Sequence, residues 1–181
     1  MNLLLFPGAG SSSTHPSLLA IAKAVAPMKC VLADFPYRKA GRRAPDRPPV
    51  LLKAVRDEAA PLLADGLVLG GRSMGGRMCS MAVGDVDDPL PAKGLVLISY
   101  PLHPPGKPDS LRTEHLPRLT VPCLFIQGSR DPFGSPAELQ QWTATIPGKV
   151  THQWLDGRGH DLKGADAAVA GMVATWISAL G

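Results

Sequence analysis

Residues 67–76 read Leu-Val-Leu-Gly-Gly-Arg-Ser-Met-Gly-Gly, and no other stretch limits the fold as sharply. Leu67, Val68 and Leu69 predict a short buried strand. G-x-S-x-G follows at Gly71, Ser73 and Gly75. Beyond it, from Arg77 to Val83, a helical spacing puts Met78, Met81 and Ala82 on one face. Strand, tight turn and helix are the setting in which this pattern forms a nucleophile elbow. The serine of such a turn has a strained backbone, and its neighbours two before and two after nearly touch. A Cβ at Gly71 or Gly75 would clash. The turn lifts the Ser73 hydroxyl above the sheet and aims the first helical N–H groups at whatever Ser73 attacks. Without that setting the motif reads as a glycine-rich turn with an incidental serine.

The rest of the chain repeats the strand–helix alternation. Apolar runs predict strands at about 2–6, 30–34, 66–70, 94–99, 121–127 and 149–154. Helical periods fall between them, at about 15–26, 49–64, 74–83, 137–145 and 165–179. In the first helix Leu18, Leu19, Ala22 and Val25 share a face. In the second, Leu51, Leu52, Val55, Ala59 and Leu62 do so, with Asp46 placed to cap it ahead of its prolines. Val169, Met172, Val173, Trp176 and Ile177 form the apolar face of the last. Strands that are nearly continuous Val/Leu/Ile runs suit a parallel sheet covered on both faces. The expectation is one α/β domain over residues 1–181, a three-layer α/β/α sandwich with six mainly parallel strands and right-handed crossovers. Ligands in such sheets bind beyond the carboxyl ends of the strands.

Composition narrows the function classes. The chain has 181 residues, 45% hydrophobic and 19% charged, as in ordinary globular proteins. No apolar run approaches the ~20 residues of a membrane span. Met1 leads straight into a strand-like Leu3-Leu4-Leu5-Phe6 with no basic region, so no secretory signal is expected. Cys30, Cys79 and Cys123 are odd in number and dispersed, which suggests reduced thiols in a cytoplasmic protein and no metal site. Much of the net charge of +4 lies in Arg38, Lys39, Arg42, Arg43 and Arg47. No aromatic residue after Tyr37 interleaves with that cluster, so it reads as a solvated basic loop and no nucleic-acid partner is expected.

Ser73 needs a base, and the base needs an acid to orient it. Asp131 lies in Gly-Ser-Arg-Asp-Pro-Phe-Gly at 128–134, just past a predicted strand. His160 lies in Asp-Gly-Arg-Gly-His-Asp at 156–161, between the last strand and the last helix. Each alone reads as an ordinary turn or capping residue. Together they follow Ser73 in the chain order that accompanies a strand–turn–helix serine, and all three emerge at one edge of the sheet. His103, after the strand ending near Tyr100, competes as base and is read as pocket lining together with Tyr100. Asp34 is the fallback acid, and Asp161 is a weaker choice. His15, His115 and His152 are worse placed. For an oxyanion the chain offers the Met74 N–H. A second donor comes from Pro7-Gly8-Ala9-Gly10-Ser11, with Ala9 preferred and Gly8 or Gly10 as alternatives. That loop lacks both G-x-G-x-x-G and the P-loop spacing, so neither a nucleotide nor another cofactor is expected.

Those segments resemble the α/β-hydrolase superfamily. More narrowly, the chain looks like the small dienelactone-hydrolase-like hydrolases of the testis-expressed and histone-acetyltransferase-complex subunit type. The resemblance is carried by Leu-Phe-Pro-Gly-Ala-Gly at 5–10, Gly-Gly-Arg-Ser-Met-Gly-Gly-Arg at 70–77, Ile-Ser-Tyr-Pro-Leu-His-Pro-Pro-Gly-Lys at 98–107, Leu-Phe-Ile-Gln-Gly-Ser-Arg-Asp-Pro-Phe-Gly at 124–134, and Gly159-His160. It implies nucleophile Ser73, acid Asp131, base His160 and the strand order 2-1-3-4-5-6. Pro7 stands where superfamily members often carry histidine. The chain begins at what would be their third strand, and a short proline-rich segment after Tyr100 replaces their helical cap. The functional expectation is a serine hydrolase cleaving small carboxylic esters or thioesters through an acyl-enzyme. The alternative is a non-catalytic binding or scaffold module that keeps the hydrolase shell. The prolines at 101, 104 and 105 predict a stiff rim from Tyr100 to Lys107.

Overall fold

The computed structural model describes residues 1–180. Six strands, β1 Asn2–Phe6, β2 Lys29–Leu32, β3 Leu67–Arg72, β4 Gly94–Ile98, β5 Cys123–Gly128 and β6 Val150–Leu155, form one sheet. Their order is β2-β1-β3-β4-β5-β6, and every neighbouring pair is parallel. The helices are α1 Pro16–Ala24, α2 Pro36–Lys39, α3 Pro48–Ala59, α4 Met74–Val83, α5 Pro136–Thr143 and α6 Asp166–Ser178. The three-layer sandwich read from the sequence is the observed architecture.

Strand alternation sorts the core into two halves. Leu4, Phe6, Leu69, Leu97 and Phe125 point to the face covered by α3, α4 and α5. Their neighbours Leu3, Leu5, Val68, Val96, Ile98, Leu124 and Ile126 point to the other face, under α1 and α6. Both faces are apolar, so the central strands show no alternation of polarity in sequence. The edge strands are less buried, and there polar residues such as Lys29 and Gln153 appear.

Three local expectations are corrected. Leu18, Ile21 and Val25 carry the burial of α1, whereas Leu19 is 50% exposed, because its step around the helix carries it off the sheet-facing side. Asp46 does not cap α3: Arg47 is the N-cap residue, with no side-chain bond, and Asp46 pairs with Arg42 at 2.7 Å. The second predicted helix changes character at Ala60, where Pro61 enters and residues Ala60–Asp65 tighten into a 3₁₀ turn. Two further short elements, α2 and a 3₁₀ turn at Leu116–Arg118, lie outside the predicted ones.

Adjacent leucines on α1 therefore have unequal energetic weight. Leu18→Ala should destabilise the protein by about 2–5 kcal/mol, and Leu19→Ala by no more than about 0.5 kcal/mol, in chemical denaturation.

Candidate functional site

Ser73 sits between β3 and α4 with φ 47° and ψ −117°, a conformation L-residues rarely adopt. The chain is held there by close backbone packing. A Cβ on Gly71 would collide with the Phe6 carbonyl, and one on Gly75 would meet the carbonyls of both Phe6 and Pro7, the latter at 2.6 Å. The end of β1 thus lies directly on the first turn of α4. The loop leaving β1 passes within van der Waals distance of Ser73, since a Cβ at Gly8 would stand 3.5 Å from the Ser73 Cβ.

His160 comes to Ser73 from the loop after β6. That loop packs against the end of β5, where Arg130 N–H donates to the Arg158 carbonyl at 2.9 Å. Arg72 clamps it from the other side. Its guanidinium donates to the carbonyls of His160 and Asp161 at 3.3 and 3.0 Å, and to the Ser17 hydroxyl at 3.2 Å. Burial lowers the Arg72 pKa, the nearby carboxylates opposing the shift.

The three residues singled out in the sequence come together. His160 Nε2 lies 2.9 Å from Ser73 Oγ, and its Nδ1 lies 2.8 and 3.0 Å from the two oxygens of Asp131. An ionised carboxylate only accepts, so Nδ1 carries the proton and Nε2 is left to accept from the serine hydroxyl. The Asp131 side chain is fully buried. It also accepts from Phe133 N–H at 2.8 Å and Gln127 Nε2 at 2.9 Å. The Phe133 ring stacks on the imidazole with centroids 4.0 Å apart.

Gln127, Phe133 and Arg72 were not singled out in the sequence. Gln127 left one signal: it is the polar member of the apolar run of β5, and it is wholly buried. Its orientation is settled by its partners. Tyr100 N–H can only donate, at 2.8 Å to Oε1, and Asp131 can only accept from Nε2.

The fallback residues lie elsewhere. Asp34 accepts from the Ser13 N–H and hydroxyl, both at 2.7 Å, and so secures the loop after β1. Tyr100 and His103 do not line the cavity at Ser73, contrary to the sequence expectation. Tyr100 is fully buried, with its hydroxyl donating to the Arg112 carbonyl at 2.9 Å. His103 Nδ1 lies 2.9 Å from the Pro104 carbonyl, and its Nε2 lies 3.4 Å from Glu138, out of hydrogen-bond alignment. The physical reason is at the end of β4. Ser99 has φ 51°, Gln127 binds the Tyr100 N–H and carbonyl, and farther on the His103 N–H donates to the Phe133 carbonyl at 3.1 Å.

A cavity of about 480 Å³ opens over Ser73. Its walls include Ala9, Met74, Arg77, Pro101, Arg112 and Phe133. The N–H groups of Ala9 and Met74 have no acceptor among the described residues. The Ala9 carbonyl accepts from the Tyr37 hydroxyl at 2.7 Å, which braces the loop. Also among the described residues, no three His, Cys, Asp or Glu side chains converge to hold a metal ion, and no helix is long and apolar enough to cross a membrane. Burial pushes the Cys30 and Cys123 thiols up to about 11 and about 12.

Residues 1–175 match the family described as the alpha/beta hydrolase domain. The chain belongs to the α/β-hydrolase family. Solved structures similar to this α/β hydrolase include an esterase domain from Rhodothermus marinus, 14% identical, with a TM-score of 0.72 over 99% of this chain and 88% of that one. Est1E from Butyrivibrio proteoclasticus is 13% identical, with a TM-score of 0.75 over 98% and 87%. The RedJ thioesterase of the prodiginine pathway in Streptomyces coelicolor is 16% identical, with a TM-score of 0.70 over 97% and 89%. At such identities the likeness is one of fold.

Two groups behind the cavity give measurable consequences. Gln127→Met would deprive Asp131 of one donor and Tyr100 N–H of its acceptor, and should cost about 1–3 kcal/mol of stability. His115 is buried behind Arg77. Ser80 Oγ donates to the Arg77 carbonyl and the Tyr100 hydroxyl to the Arg112 carbonyl, so His115 Nε2 carries the proton and donates to Ser80 at 2.8 Å. Burial, aided by Arg118 and Arg77, lowers the His115 pKa to about 4. The unfolded chain therefore binds a proton that the folded one refuses. Stability contributed by the neutral ring is complete above the ordinary pKa of about 6.5 and is lost as pH falls toward about 4. Denaturation midpoints should fall over that window, and His115→Gln should flatten the slope.

Proposed function

We propose that this α/β hydrolase is a serine hydrolase cleaving small carboxylic esters or thioesters through an acyl-enzyme. The observation that carries the reading is the unbroken hydrogen-bonded line from Ser73 Oγ through His160 to buried Asp131, opening onto the cavity.

In this reading Ser73 Oγ attacks the ester carbonyl carbon as His160 Nε2 takes the hydroxyl proton. The carbonyl π bond becomes a lone pair on the oxyanion, which the Ala9 and Met74 N–H groups receive. Collapse of the tetrahedral species expels the alcohol or thiol, and the imidazolium returns the proton to it. Water then attacks the acyl-serine by the same sequence and releases the acid. Asp131 holds the Nδ1–H tautomer and stabilises the imidazolium, staying ionised throughout. The stacked Phe133 ring and the Arg72 clamp limit the freedom of His160, so little ordering remains to be supplied during attack. Membership of the alpha/beta hydrolase family, whose fold the esterase domain and the RedJ thioesterase share, lends support to a hydrolase. No metal or cofactor enters the scheme. The three free cysteines suit a reducing compartment such as the cytoplasm.

A fluorophosphonate probe should label the protein, and Ser73→Ala should abolish labelling. On a 4-nitrophenyl ester, His160→Ala should lower kcat by several orders of magnitude, up to ~10⁶, and Asp131→Asn by roughly 10⁴. Absent labelling with intact folding would favour the binding-module alternative, and near-normal turnover of His160→Ala would remove that histidine from the mechanism.

A further inference from the structure

The cavity over Ser73 carries an imbalance of charge. Arg77 and Arg112 both line it with Asp161, and among the described residues no carboxylate comes within 4 Å of either arginine. Among the described residues, Lys39, Arg42, Lys53 and Arg56 have acidic partners, and Arg118 and Arg158, which have none, donate to backbone carbonyls. The Arg72 guanidinium in the same cavity is occupied by two carbonyls and a hydroxyl.

Arg77 differs from all of these. It lies in the first turn of α4, with its N–H bonded to the Ser73 carbonyl at 3.0 Å, and both residues line the cavity. Its Nε is buried with no acceptor among the described residues. Its remaining side-chain contact is a weak one to the Met81 sulfur at 3.7 Å. The Arg112 side chain donates, among the described residues, one long bond of 3.5 Å to the Pro101 carbonyl. Burial lowers the Arg77 pKa, and the charge of Arg112 lowers it further, against weaker help from Tyr100 and exposed Glu114. A half-buried guanidinium whose Nε finds no acceptor among the described residues is costly to the fold. That cost is offset when a ligand brings the missing acceptor to the site.

We propose that Arg77 and Arg112 form an anion subsite, and that the substrate is a small ester or thioester bearing a carboxylate. The planar guanidinium fork matches a carboxylate through two parallel bonds. With the carboxylate held there, the scissile carbonyl lies over Ser73, one helical turn away. This specificity rests on the serine-hydrolase reading, but the anion site itself does not require turnover.

Two measurements test it. The first compares mono-4-nitrophenyl glutarate with 4-nitrophenyl valerate, esters of equal acyl length that differ in the terminal carboxylate. The ratio of their kcat/KM values should favour the glutarate in the natural protein. It should fall about 10- to 100-fold in Arg77→Met, as expected for losing a charge-assisted hydrogen-bonded pair, and by less in Arg112→Gln. Arg77→Lys, which keeps the charge and loses the fork, should fall between. The second measurement is calorimetric titration of the unsubstituted protein with glutarate, valeramide and inorganic phosphate. Glutarate should bind, valeramide should not, and phosphate should bind more weakly. This arm needs no variant to fold and no ester to turn over. Equal ester ratios in the natural and substituted proteins, or glutarate binding no tighter than valeramide, would overturn the proposal. Tighter binding of phosphate than glutarate would overturn the carboxylate assignment. Glutarate binding abolished by Arg77→Met, in a protein that hydrolyses neither ester, would sustain the anion site while removing the hydrolase reading.

Discussion

The contact between the end of β1 and the first turn of α4 governs the rest of the site. The Phe6 and Pro7 carbonyls occupy the space that a side chain at position 71 or 75 would need. That approach permits the backbone of Ser73 to stand at φ 47°, a geometry that costs about 1–3 kcal/mol when unsupported. Supported, it projects the hydroxyl away from the sheet and brings the Ala9 loop alongside. The same contact leaves the N–H groups of Ala9 and Met74 without internal acceptors. Strain at one residue and close packing of its neighbours are two aspects of one arrangement.

Behind the imidazole, a buried polar network takes over from apolar packing. Gln127 reads the polarity of its surroundings through both ends of its amide: it accepts from Tyr100 N–H and donates to Asp131. Asp131 then accepts from three protein donors, which is how an ionised carboxylate is tolerated in full burial. The network links the ends of β4 and β5 to the His160 loop. Orientation of the histidine is therefore a property of the sheet edge and not of the loop alone.

Charge is distributed by a different rule. On the surface, Lys39–Glu58, Lys53–Asp57 and the Arg56 pairs with Asp85 and Asp88 are exposed contacts of small individual worth. Within the basic segment read from the sequence, Arg42 turns back to Asp46 and Lys39 reaches Glu58. At the cavity, Arg72 is bonded to the carbonyls of His160 and Asp161 and serves position, whereas Arg77 and Arg112, which line the space over Ser73, have no comparable acceptors among the described residues.

Much of this was legible locally. Apolar runs and helical periods are short-range patterns, so strand and helix order, the parallel sheet and the strand-end placement of Ser73, Asp131 and His160 could be read from the chain itself. The glycine spacing marked the tight turn because steric exclusion at a turn involves only a few neighbours. What only the tertiary structure decided was which polar groups at that common edge would meet. Tyr100 and His103 leave the same edge as Asp131 yet do not line the cavity, since Gln127 holds the Tyr100 backbone and the Phe133 carbonyl holds that of His103. Arg77 looks in sequence like any solvent-facing helical arginine. That it stands in a cavity beside Arg112, thirty-five residues away, is decided only by the fold. Element identity depends on local periodicity, whereas the direction and pairing of polar side chains depend on long-range hydrogen bonds and shared burial, which leave no mark on neighbouring residues.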